Sequence, residues 1–174
     1  LTAKLLIRDE TERDIPVIGS VTAAAFTPVE ISNQTEPYII EALRSAGALT
    51  LSLVAEVGGE IVGHIAFSPV RLSDGAPGWF GLGPVSVLPT HQRKGVGGAL
   101  IREGLSRIRE RGARGCCLVG HPQYYRRFGF ENATGLGIPG VPDEVFFVLP
   151  FDGPVPRGVV AFHEAFGATA PESG

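Results

Sequence analysis

The sequence contains no methionine, one tryptophan and only two cysteines. The cysteines are adjacent, Cys116 and Cys117, within the apolar run Cys116-Cys117-Leu118-Val119. A disulfide-stapled scaffold is thereby excluded. So is a cysteine metal cluster, because neighbouring residues of a strand point to opposite faces. Free buried thiols in a reducing cytoplasm are the expectation, and no metal is expected. No apolar run approaches the ~20 residues of a membrane span, and the N-terminal stretch lacks a signal-peptide pattern. Basic excess is also missing: 15 Lys and Arg stand against 18 Asp and Glu, a net charge of −3. General nucleic-acid binding is not expected from that balance, nor is a membrane partner. Gly-Lys-Ser/Thr occurs nowhere, so there is no P-loop. Without a repeat or a linker, residues 1–174 read as one domain, long enough to bury a core unaided.

What the sequence does have is glycine, 24 in all, and three fall in one place after a strand: Gly95, Gly97 and Gly98, where a helix follows. The stretch runs Val85-Ser86-Val87-Leu88-Pro89-Thr90-His91-Gln92-Arg93-Lys94-Gly95-Val96-Gly97-Gly98. Glycines at a strand–helix junction leave backbone N–H groups uncovered, and the first helical turn adds its own free donors. With the positive end of the helix dipole and the charges of Arg93 and Lys94, these make a site for a phosphate or pyrophosphate. It is not the dinucleotide fingerprint: the third glycine would be Leu100, and residues 115–121 hold no acidic partner. An unliganded strand–helix turn is the plainer alternative for this segment alone.

Gln92-Arg93-Lys94-Gly95-Val96-Gly97 fits Gln/Arg-x-x-Gly-x-Gly/Ala, and so resembles the acetyl-CoA loop of the GNAT superfamily of N-acetyltransferases. About 30 residues further on, Tyr125-Arg126-Arg127-Phe128-Gly129-Phe130 is similar to the Tyr-x-x-x-Gly-Phe ending of the family. Two motifs in the family's order and separation are far more specific than either one.

The coarse reading of elements follows the same order. Lys4–Arg8 reads as a strand, and Thr11 and Asp14 as the start of a helix carrying Ile15, Ile18, Thr22 and Phe26. Pro37 opens a second helix. Leu49–Val57 and Glu60–Phe67 form a hairpin at Gly58-Gly59, Trp79–Leu88 a fourth strand, and 96–111 the best amphipathic helix. Gly115–Val119 is a doubly covered fifth strand, followed by a short helix near 123–128. Glu144–Leu149 is a strand, Val159–Phe162 an edge strand, and Ala168–Gly174 an unstructured tail.

The resemblance implies an α/β (α+β) GNAT-like fold: a mostly antiparallel mixed sheet of about six or seven strands, with about four flanking helices. The fourth and fifth strands would run parallel and splay, with a bend expected near Gly81, Gly83 and Pro84. The resemblance further implies acetyl-CoA as co-substrate, held by backbone at Val85, Ser86 and Val87 and by Gln92, Arg93, Lys94, Gly95, Val96, Gly97 and Gly98. A primary amine would attack the thioester directly in a ternary complex, and a strand N–H near Val85–Val87 would stabilise the oxyanion. Tyr125 takes the place of the family's general acid and touches the cofactor, with Tyr124 read as packing. For the base, His121, Glu56 and His64 are candidates; His121 stands beside the acid, and ordering the turn before Pro122 is its alternative role. Where many members carry asparagine, this chain has Gly120-His121-Pro122. The acceptor is expected to be a small-molecule amine ahead of a peptide N-terminus or lysine, and a homodimer is left open. A domain of the same fold that binds acyl-CoA as a sensor, without turnover, is the alternative from another class. A thiol-dependent enzyme lacks a positive, exposed setting for either cysteine.

Overall fold

Alternating and continuous apolar runs set the framework. The computed structural model describes residues 4–171, so the end of the expected tail, 172–174, lies outside the described residues. The chain runs β1 (Leu5–Asp9), α1 (Ile15–Phe26), α2 (Glu36–Ser45), β2 (Leu51–Val57), β3 (Glu60–Pro69), β4 (Arg71–Leu72) and β5 (Trp79–Val87). It continues through α3 (Val96–Glu110), β6 (Gly115–Val119), β7 (Leu136–Gly137), β8 (Phe146–Pro150) and β9 (Gly158–Ala161). The entry to α1 is fixed as the sequence suggests. Asp14 accepts from the Thr11 backbone N–H at 2.6 Å, and Arg8 donates to both Asp14 oxygens at 2.7 and 3.1 Å.

Six strands form the main sheet in the order β1-β2-β3-β5-β6-β8, with β5 and β6 parallel and every other pair antiparallel. Helix α3 covers one face. Its Leu100, Ile101, Leu105 and Ile108 stack on Leu53, Ile65 and Phe67, all at most 9% exposed. Fully burying such a side chain contributes roughly 1.5–3 kcal/mol. On the opposite face α1 packs Ile18 and Val21 on Val54. On α3 an i,i+4 pair forms, Arg107 Nε donating to Glu103 at 2.9 Å.

Two expectations change, and one further strand appears. The two-residue strand β4, too short to carry a periodicity, is a strand only because β9 pairs with it. Strand β9 is not an edge: it lies between β4 and β7 in a second, three-stranded sheet. That sheet encloses Leu72, Trp79, Cys117, Phe146 and Val160. The short helix after β6 is a 3-10 turn, Tyr125–Phe128, so the described residues hold three α-helices rather than four. Cys116 faces the α3 core and Cys117 the second cluster. Burial raises both thiols, Cys117 to about 12, which leaves them inert.

Candidate active site

Strands β5 and β6 pair only at Trp79–Gly81 with Gly115–Cys117. Beyond Gly81 the two strands part, and the β6-facing edge of β5 is left without a ladder. The cause lies in β5 itself. Opposite β3, Ile65 pairs with Val85 and Phe67 with Leu82, so Gly83 and Pro84 together face one residue. That extra residue is the bend expected from Gly81, Gly83 and Pro84, now located at the cis Gly83-Pro84 step.

At the open end of β5 the chain turns into α3. Gln92 Nε2 donates to Val87 O at 3.0 Å and ties the loop back to the strand. Gly95 is the N-cap with φ 84°, in the left-handed region, and offers no side chain to the helix donors. Ala99 N–H is the first to enter the ladder, donating to Gly95 O at 3.0 Å. The N–H groups of Val96, Gly97 and Gly98 therefore precede it, as free helix-start donors do. They open on a groove of about 540 Å³ that Val87, Gln92, Arg93, Gly95, Gly97 and Gly98 line from the strand–helix side. Tyr124, Arg127 and Phe128 face them, and Arg102 reaches in from α3. Five nitrogenous side chains, with His91 beside Gln92, Arg93, Arg102 and Arg127, and a bare helix start suit a polyanion. A Cβ on Gly97 would stand 3.5 Å from the Tyr124 hydroxyl and 3.7 Å from Val87 Cγ2, so a larger side chain there would fill the cradle.

The sequence-derived residues divide by position. Gln92, Arg93, Gly95, Val96, Gly97, Gly98 and Val87 meet at the groove. Lys94 is exposed and is not among its lining residues. Ser86 turns its side chain to the α1 face, where it is 1% exposed, so only its backbone belongs to the splayed edge. Tyr125 packs against Phe130 and Phe147 with ring centroids 6.1 and 6.0 Å away, and its ring covers Gly120 so closely that no side chain fits at 120. Burial, aided by Tyr124 nearby, raises its phenol to about 12. His121 is exposed, and its Nδ1 accepts the Gln123 N–H at 3.2 Å, which orders the turn. Glu56 is held by Arg8 at 2.7 Å and is not among the groove's lining residues.

Tyr124, Arg102 and Phe128 were not marked by the motifs as groove residues, and Arg127, which by its place in the motif could reach a phosphate of CoA or form a solvated face, lies in the groove. Tyr124 lies beside Gly97 because the 3-10 turn folds back over the α3 start. Arg127 Nε donates to Tyr124 O at 2.9 Å, with its guanidinium 4.6 Å from the Tyr124 ring. Only the adjacency of two tyrosines hinted at a second role. Among the described residues, no cluster of His, Cys, Asp and Glu could hold a metal, and no helix is long and apolar enough to cross a membrane.

A family model for the GNAT acetyltransferase domain matches residues 7–133. A GNAT family acetyltransferase from Brucella melitensis, solved in complex with acetyl-CoA, is 52% identical, with 94% of this chain and 99% of that chain covered and a TM-score of 0.85. The GNAT family N-acetyltransferase YhbS from Escherichia coli, solved in complex with CoA, is 32% identical over 97% of this chain and 94% of that one, with a TM-score of 0.86. In a sequence comparison, the uncharacterized N-acetyltransferase YhbS of Escherichia coli strain K12 is 35% identical over 131 residues, 75% of each chain.

Proposed function

The chain belongs to the GNAT family of acetyltransferases, and on that premise we propose that it transfers the acetyl group of acetyl-CoA to a primary amine. The observation that carries this reading is the groove: a glycine-lined helix start, flanked by Arg93, Arg102 and Arg127, beside the unpaired edge of β5. A pyrophosphate fits the helix N–H groups, and a pantetheine arm fits the strand edge, whose N–H and C=O groups are unpaired on that side.

In this proposal the amine attacks the thioester carbonyl directly, in a ternary complex. A backbone N–H of β5 near Val85–Val87 stabilises the oxyanion, a preorganised donor that needs no rearrangement. Tyr125 then protonates the departing thiolate. Its buried phenol stays protonated across the working range, as an acid must. Tyr124 and Arg127 position the phosphate end of the co-substrate, and Gln92 holds the loop in place.

The test is thiol release from acetyl-CoA over a panel of small amines, polyamines, amino acids, aminoglycosides and peptides, read beside calorimetric binding of acetyl-CoA. Release with one or more amines is the expected result, with small molecules ahead of peptides. Tight binding with no release for any amine would favour a sensor of the same fold.

A further inference from the structure

The groove meets the gap between β5 and β6 from the α3 side; the other face of the same gap is apolar. Strand β6 is buried while it has neighbours: Cys116, Cys117 and Leu118 are at most 1% exposed. Its last residue, Val119, is 47% exposed. Val119 faces away from α3, because its β8 partner Phe146 and Cys117, two residues back, both pack in the cluster enclosed by the second sheet. The exposure originates in β5. Gly81 and Cys117 are the last paired residues, so an unbroken ladder would set Gly83 beside Val119. The bend at Gly83-Pro84 carries β5 off instead, and a Cβ on Gly83 would meet no atom within 4 Å.

A second apolar group borders this opening. Phe162, which follows β9, lies on the same face against Gly81, so close that no Cβ fits at 81. Its ring packs on Phe166 with centroids 5.1 Å apart, and both rings are half-buried. The three base candidates are engaged elsewhere. His64 is fully buried with Nε2 2.7 Å from Ser52 Oγ, Glu56 is taken by Arg8, and His121 Nδ1 accepts the Gln123 N–H. Carboxylates follow on the turn before β8, where Asp143 and Glu144 are exposed and Val145 O accepts the Gly120 N–H at 2.9 Å.

We propose that the acceptor is a monoamine with an apolar body, an aryl- or alkylamine, and that Val119 and Phe162 select it on this face of the gap. The proposal rests on the acetyltransferase reading above. A co-substrate whose phosphates lie at the start of α3 fills the gap from that side, which leaves the opposite face for the nucleophile. An apolar body laid across Val119 and Phe162 removes from water the surface that the broken ladder exposes. A hydroxyl or second ammonium placed there would lose its water without gaining a partner. The same desolvation disfavours the ammonium and favours the neutral amine, the form that attacks a thioester. Substrate choice and nucleophile activation thus come from one apolar mouth, with Asp143 and Glu144 as the alternative attraction for a polycation.

The test compares phenethylamine, ethanolamine and spermidine as acceptors in the wild type and in Val119→Asp, a change at an exposed side chain whose folding a melting curve verifies. The wild type should favour phenethylamine by roughly 10–100-fold in kcat/KM, the discrimination that an apolar contact of this size gives. Val119→Asp should lower kcat/KM for phenethylamine roughly tenfold, through KM, and narrow its lead over spermidine, at unchanged calorimetric affinity for acetyl-CoA. Phe162→Leu, which keeps an apolar group on Gly81, should give a smaller fall in the same direction. Ethanolamine or spermidine equalling phenethylamine in the wild type overturns the apolar acceptor and leaves the acetyltransferase reading standing. So does a Val119→Asp enzyme with the wild-type ranking and KM. If no amine releases thiol, the acetyltransferase reading falls, and saturation-transfer NMR of phenethylamine with the CoA-bound protein still decides the mouth. Contact that Val119→Asp abolishes upholds it; contact that is absent, or unchanged in the variant, overturns it.

Discussion

The Tyr124 hydroxyl stands 3.5 Å from the point a Cβ on Gly97 would occupy, so a tyrosine and a glycine 27 positions apart form opposite walls of one groove. The glycine keeps the helix N–H groups bare, and the tyrosine sets the depth of the space above them. Gly97→Glu fills that space with bulk and negative charge. The expected outcome is loss of measurable acetyl-CoA binding by calorimetry, with the circular dichroism spectrum and melting curve nearly unchanged. Wild-type affinity in the folded variant would remove the groove from the mechanism.

Tyr125→Phe keeps the ring against Phe130 and Phe147 and deletes only the hydroxyl. A fall in kcat of roughly one to three orders of magnitude, at near-constant acetyl-CoA affinity, is expected for loss of a general acid. Tyr124→Phe has the opposite signature. It keeps kcat within a few-fold and raises KM for acetyl-CoA, because its hydroxyl borders the bare start of α3 across the groove from Gly97. Steady-state kinetics of the two variants on one amine decides between these roles.

Asp14 anchors the start of α1. Its side chain is 8% exposed and accepts two bonds from Arg8 and one from the Thr11 N–H. Those Arg8 bonds, against the opposing cost of burial, hold its carboxyl well below the ordinary 3.8. A depressed carboxyl contributes stability above its unfolded pKa and loses it as pH falls through the folded one. Asp14→Asn should cost about 1–3 kcal/mol at neutral pH, the scale of a broken part-buried charged hydrogen bond. Urea melts at pH 7 and at pH 3 check the sign: the deficit shrinks at the lower pH.

His64 gives a separate acid signature. Burial lowers its imidazole from 6.5 to about 4, with Glu10 opposing and Arg44 assisting the shift. The unfolded chain binds this proton first, so stability is full above 6.5 and is lost as pH falls through about 4. By pH 4 the loss reaches on the order of 2–3 kcal/mol. His64→Gln should flatten the melting temperature between pH 6.5 and 4 relative to the wild type, and an equal slope in both proteins would assign the acid lability to the carboxylates.

The linear sequence determined what depends on local order. Gly95 and Gly97 after a β-branched run left a helix start bare of side chains, and Thr11 with Asp14 made a helix start, because a turn or a cap is written within a few residues. The alternation that set Cys116 and Cys117 on opposite faces was equally local. The tertiary structure decided everything that needs two distant segments. Arg71–Leu72 became a strand only against Val160–Ala161. Tyr124 became a wall of the groove only because its turn folds onto the start of α3, and His121 fell outside that groove by the same fold. His64 and Ser86 acquired a shared environment from strand register, which a one-residue slip would destroy by sending one of them to the other face.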